Sequence, residues 1–159
     1  MKCILSKGRL EDYIGNALIT FVYQNENRSR GILKKIVDES INSGKFSGEK
    51  NEIFQVFPCP QLRAGRLIIV GLGKRGKANL DTIRQAAAIA IKIVRKLNKV
   101  AYLPIDDSRK TLAPVIEGAL LGSYRFDRLK AEKKESELDE ISFFSDARSI
   151  DQTFIDRIN

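Results

Sequence analysis

Glycines 71, 73 and 76 in Val70-Gly71-Leu72-Gly73-Lys74-Arg75-Gly76-Lys77 fall in the spacing G-x-G-x-x-G, between an apolar run and an amphipathic one. At a strand-to-helix turn such glycines let backbone N–H groups close on a phosphate. The surroundings depart from a dinucleotide site. The next helix begins only at Asn79 or Leu80, and the run is the fourth or fifth element instead of an opening strand. The following strand, Lys99 to Pro104, ends without an acid to read a ribose, and no Gly-Lys-Ser/Thr appears. The stretch is expected to be a tight turn at a strand end. Asp106-Asp107 beside Arg109-Lys110 has the residue types of an acid pair or metal site, but adjacent acids on a loop seldom aim at one atom. It is expected to be a solvated turn ahead of a helix capped by Thr111. Cys59, between two prolines and near Arg63, could be a thiolate only if positive charge lowered its pKa. No base is available to pair with it, so it reads as a core or loop thiol. The chain has no histidine, which removes every Ser-His-Asp, Cys-His and His-metal arrangement and leaves only Asp, Glu and Lys for a metal.

The 159 residues are 43% hydrophobic and 30% charged, enough for one domain with a sizeable core. No apolar run approaches the roughly 20 residues of a membrane span, and the N-terminus lacks a signal peptide's long apolar stretch. A cytoplasmic location is the expectation, with no membrane partner. The two cysteines, Cys3 and Cys59, give no disulfide framework. The net charge of +8 is uneven: residues 1–130 hold 24 Lys and Arg against 12 Asp and Glu, and residues 131–159 hold 4 against 8. A basic body could meet DNA, with Lys74, Arg75 and Lys77 as first contacts. Its basic residues are scattered, without interleaved aromatics, as on a solvated surface.

The elements that must position these groups alternate in period. Residues 17–23, 53–57, 66–70 and 99–104 read as short strands, 139–144 as a final peripheral strand, with a further one at 2–6. Helical spacing marks 28–41, with Ile32, Leu33, Ile36 and Val37 on one side and a stop at Asn42-Ser43-Gly44. It is clearest over 79–97, where Ile83, Ala86, Ala87, Ala90, Ile93, Val94 and Leu97 form one stripe about 28 Å long. A helix over 112–126 is expected to carry Val115, Ile116, Ala119 and Phe126 inward, with Pro114 in its first turn. Its Gly118 and Gly122 leave a groove for another backbone. Glu117, Leu121 and Tyr124 share a side suited to a partner. A charged connector spans Leu129–Glu137, and Ile150, Phe154, Ile155 and Ile158 mark a last short helix. The order predicts an α/β fold, a three-layer α/β/α sandwich of five to seven strands. The two successive strands within 53–70 pair antiparallel, which makes the sheet mixed.

The early strand at 17–22, the helix at 28–41, Leu67-Ile68-Ile69-Val70-Gly71-Leu72-Gly73-Lys74 and above all Glu117-Gly118 … Leu121-Gly122-Ser123-Tyr124-Arg125-Phe126-Asp127-Arg128-Leu129-Lys130 resemble the N-terminal domain of the leucyl aminopeptidase (cytosol aminopeptidase) family. The resemblance runs over roughly residues 2–144. It implies a fold similar to macro domains over 1–144, with 145–159 as the start of a linker helix toward a catalytic domain. The parent it implies is a cytosolic metallo-aminopeptidase that removes N-terminal amino acids from peptides. In that family two divalent metals, Zn or Mn, lie in the C-terminal domain with the motif Asn-Thr-Asp-Pro-Glu-Gly-Arg, which residues 1–159 do not contain. The expectation is therefore a non-catalytic piece with no catalytic, cofactor-binding or metal residue of its own. It would support a homohexamer and access to the active site, and be a monomer or weak dimer by itself. Two alternatives stand beside it: a macro-type module for ADP-ribose or a nucleotide, and a DNA-binding domain.

Overall fold

The computed structural model describes residues 1–124 and 138–159. The expected end of the third helix, Phe126 and the connector at 129–137 lie outside the described residues.

Among the described residues six strands form one sheet: β1 (Lys2–Ser6), β2 (Ala17–Val22), β3 (Ile53–Val56), β4 (Leu67–Gly71), β5 (Lys99–Tyr102) and β6 (Glu140–Phe144). Their order across the sheet is β1-β6-β5-β2-β4-β3. All pairs are parallel except β3 with β4, where Ile53 lies opposite Val70 and Val56 opposite Leu67. The mixed α/β sheet expected from the sequence is the one observed, and the consecutive pair supplies its antiparallel edge; the strand at 139–144, expected at the periphery, is instead the buried β6, paired on both sides by β1 and β5.

The central strands are buried on both faces, and their alternation sorts residues between two cores. Ile19, Phe21, Ile68, Val70, Val100, Tyr102, Ile141 and Phe143 face one side. There they meet α2 (Leu80–Val94), α3 (Arg109–Ser123) and α4 (Gln152–Ile158). Leu18, Val22, Leu67, Ile69, Ala101 and Phe144 face the other, against α1 (Gly31–Asn42) and the loop bearing Cys59, Leu62 and Ala64. Phe21, Tyr102 and Phe143 stack in a row across β2, β5 and β6, with centroids 6.0 and 5.6 Å apart. The Tyr102 hydroxyl donates to the Ala87 carbonyl at 2.7 Å, so the one polar atom in this row is satisfied.

α2 starts at Asn79, whose side chain accepts from the Thr82 N–H while the Thr82 hydroxyl accepts from the Asn79 N–H, a reciprocal cap. Its buried set differs from a single stripe: Ile91 is fully buried and Ile93 is 40% exposed. The cause is a second neighbour. α3 lies along the flank of α2, so α2 is covered by the sheet on one side and by a helix on another. α3 itself begins three residues before the expected start. Ser108, not Thr111, is the cap, its hydroxyl accepting from the Thr111 N–H. Pro114 consequently falls in the second turn, where it has no N–H to return to the Lys110 carbonyl.

The glycines of α3 are where another backbone comes close. A Cβ on Gly118 would sit 2.1 Å from the Arg84 carbonyl oxygen, and one on Gly122 would sit 2.5 Å from that of Ala88. The expected groove is filled by α2. Beside it Arg84 brings Nε and Nη2 to one oxygen of Glu117, at 2.7 and 2.6 Å, and Nη1 to Asp81 at 3.1 Å. The hydrogen bond to Glu117, with the two carboxylate charges, holds the guanidinium pKa up against partial burial.

Candidate functional site

The loops after β2 and β4 meet at the carboxyl ends of neighbouring strands whose following helices, α1 and α2, lie on opposite faces of the sheet. Ligands of open α/β sheets gather at such a point. A cleft of about 460 Å³ lies there, walled by Gln24, Lys50, Gly73, Lys74, Lys77 and the Asn79 cap. Volume and position suit a small molecule.

The backbone of the glycine turn is already committed. Gly71 donates its N–H to the Glu52 carbonyl at 2.8 Å, Leu72 to Val22 at 2.9 Å and Gly73 to Gly48 at 2.9 Å. Those three amides have no proton left for a phosphate. The glycines serve a protein contact instead. A Cβ on Gly71 would fall 2.0 Å from the Glu49 carbonyl oxygen, and Gly73 holds φ +75° over Lys50. The turn 47–52 thus packs into the strand ends where a phosphate loop would hold its ligand. Gly76 has open space around it and serves neither purpose.

That inserted turn carries its own clamp. Glu52 accepts from the Ser47 hydroxyl at 2.6 Å, the Ser47 N–H at 3.0 Å and the Glu49 N–H at 3.2 Å. Partial burial pushes the Glu52 carboxyl up, and these donors together outweigh it, so its pKa lies below the ordinary glutamate value. The sequence reading passed over this turn. Its signal was Gly48 and Asn51 bracketing two polar residues, and both adopt positive φ, +88° and +63°.

The charges around the cleft are mixed. Arg75 reaches Glu26 at 3.4 Å, and Arg28 reaches the same oxygen at 3.8 Å. Asp81 is held by Arg84 and by Gln85. Lys74 and Lys77 make no ion pair among the described residues. Of the three basic side chains of the turn, Arg75 is turned to Glu26, while Lys74 and Lys77 line the cleft.

The remaining candidates are dispersed. Asp106 Oδ1 accepts from the Ser108 N–H at 2.9 Å and from the Ser108 and Thr111 hydroxyls at 2.6 Å each. Burial raises its pKa, but those bonds and the nearby Arg28 charge bring it below the usual aspartate value. It organises the start of α3. Arg109 turns away to the Ser149 carbonyl and lies 5.1 Å from the centre of the Phe154 ring. The Asp-Asp and Arg-Lys residues form no joint site. Cys59 is fully buried, with Sγ 3.5 Å from Gln61 Oε1, and burial pushes its thiol pKa up, away from a nucleophile. The lowering that Arg63 could have produced does not occur. Glu117, expected to meet a partner, is engaged by Arg84 within the chain, while Leu121 and Tyr124 beside it are 67% and 75% exposed. Among the described residues no three His, Cys, Asp or Glu side chains come together as metal ligands.

Comparison with known proteins follows the same lines. Residues 22–133 match the N-terminal domain of the cytosol aminopeptidase family. A probable cytosol aminopeptidase of Roseiflexus castenholzii is 34% identical over 125 residues, 73% of this chain and 26% of the relative. The chain spans between about a fifth and a third of the length of the curated relatives compared. A mutant tomato leucine aminopeptidase superposes over 99% of this chain and 34% of its own, with TM-score 0.72 and 15% identity. A Trypanosoma brucei macrodomain in complex with ADP superposes over 99% of this chain and 69% of its own, with TM-score 0.67 and 15% identity. At such identities both likenesses bear on the fold alone.

Proposed function

The chain belongs to the cytosol aminopeptidase family through its N-terminal domain, and from that premise we propose that it is the non-catalytic part of a metal-dependent aminopeptidase acting on the N-termini of peptides in the cytoplasm. Its work is architectural: it supports a homohexamer and shapes the approach to an active site built by a catalytic domain. Two divalent metals, Zn or Mn, would be held in that domain and not by these residues. The observation that carries the reading is the family match over residues 22–133, on a fold where Asp106 and Glu117 are tied into structure. Residues 145–159 would belong to the passage toward the catalytic domain.

The test is a domain exchange in the Roseiflexus castenholzii relative. Deleting the segment equivalent to residues 22–133 is expected to lower hydrolysis of leucyl-p-nitroanilide and the oligomeric mass seen by light scattering. A chimaera carrying this chain in that place should recover both. Full assembly and activity in the deletion would show that the domain supports neither.

A further inference from the structure

Among the described residues β1 ends the sheet on one side. Along a strand, alternate residues turn both backbone groups to opposite neighbours. Lys2 gives its N–H to the Asp139 carbonyl at 2.7 Å, on the β6 side, so Cys3 and Leu5 turn theirs outward. Such an edge is a ready template for pairing with another chain. Here one side chain occupies it. Gln152, at the start of α4, accepts from the Leu5 N–H through Oε1 at 2.7 Å and donates from Nε2 to the Cys3 carbonyl at 2.9 Å. One carboxamide fills the acceptor and donor places that a residue opposite Ile4 on a further parallel strand would fill.

The orientation of that carboxamide is itself set. Nε2 gives its other proton to Asp156 Oδ1 at 2.9 Å, one helical turn on. A carboxylate can only accept, so the amide nitrogen must lie toward Asp156 and the oxygen toward the Leu5 N–H. Ile150 and Ile155, both buried in the core beneath, seat the segment that carries Gln152.

We propose that Gln152, held by Asp156, guards this edge: it stands in for a seventh strand and keeps β1 from pairing with β1 of a second copy of this chain. Two copies related by a two-fold axis would offer each other the same outward Cys3 and Leu5 groups. Antiparallel pairing uses both groups of one residue, so the contact would close as a dimer and not grow into a fibre.

Gln152→Leu keeps the bulk and removes both bonds. Gln152→Glu keeps an acceptor, loses the donor to Cys3 and places a second carboxylate beside Asp156. Gln152→Leu is read by both measurements that follow; Gln152→Glu, which keeps the acceptor for Leu5, is read by dimerisation alone. At low concentration the Leu5 amide of Gln152→Leu should exchange with solvent about tenfold faster than in the wild type, the effect of one lost hydrogen bond. Ile68, at the sheet centre, should be unchanged. In light scattering over a concentration series the wild type should stay monomeric and the variant should dimerise. Unchanged Leu5 exchange would overturn the proposal. So would faster Leu5 exchange in a variant that stays monomeric, since nothing would then be guarded against. Equal acceleration at Leu5 and Ile68 would also overturn it, by showing that Gln152 serves general stability.

Discussion

Replacing Gly118 with alanine tests how closely α2 and α3 are joined. The new methyl carbon would lie 2.1 Å from the Arg84 carbonyl oxygen, 2.9 Å from its carbon and 3.0 Å from the Ala87 Cβ. The nearest atoms are backbone, so no side chain can swing aside, and the helices must part by about 1 Å to restore ordinary contact. Parting them strains the Arg84–Glu117 contact and loosens the packing of buried Ile91 against Gly122 of α3. Overpacking costs about 1–3 kcal/mol, and a backbone clash belongs at the upper end. Alanine's better helix propensity returns about 1 kcal/mol. The net expectation is a loss of about 2 kcal/mol. With a urea dependence of about 2 kcal/mol per molar, the midpoint falls by about 1 M. Gly76→Ala is the control, because a Cβ there meets nothing within 4 Å and its φ is not positive; it should stay within about 0.5 kcal/mol of wild type. Equilibrium urea unfolding followed by circular dichroism reads both. A Gly118→Ala chain as stable as the wild type would refute the claim that the glycines exist to admit α2.

Two further outcomes follow from buried and clamped groups. Glu52 has a lowered folded pKa, so its contribution is complete above the ordinary value of 4.5 and is lost as pH falls below that through the folded value. Unfolding midpoints should therefore drop more steeply in this acid window for the wild type than for Glu52→Gln, and parallel curves would contradict the clamp. Cys59 is fully buried with a raised thiol pKa, so Ellman's reagent should reach it only as fast as the fold opens. Immediate native-state labelling mapped to Cys59 would remove that assignment.

The strands were legible because the sheet is buried on both faces and writes short apolar runs such as Leu67-Ile68-Ile69-Val70. Gly118 and Gly122 announced a close approach by their spacing, and α2 is what approaches. Ile91 was missed and Ile93 wrongly placed inside because one helical stripe cannot express burial by a sheet and a helix together. The start of α3 differs from expectation because Ser108 and Thr111 can both cap; Ser108 takes the place, its N–H held by Asp106 and its hydroxyl accepting from the Thr111 N–H. At the candidate site the glycine spacing was visible, but its meaning was not. Whether Gly71 and Gly73 face a phosphate or the turn 47–52 depends on a contact made some 20 residues away along the chain. The pairing of Gln152 with β1 lies still further beyond local reading, spanning 147 residues from Leu5.

The central claim, that these residues carry no hydrolytic centre of their own, is tested most directly by assaying the purified 159-residue chain on leucyl-p-nitroanilide with manganese or zinc supplied. The account predicts no release of p-nitroaniline above the metal-only blank, from a chain whose circular dichroism shows it folded. Turnover that scales with the chain and is abolished by chelation would contradict it.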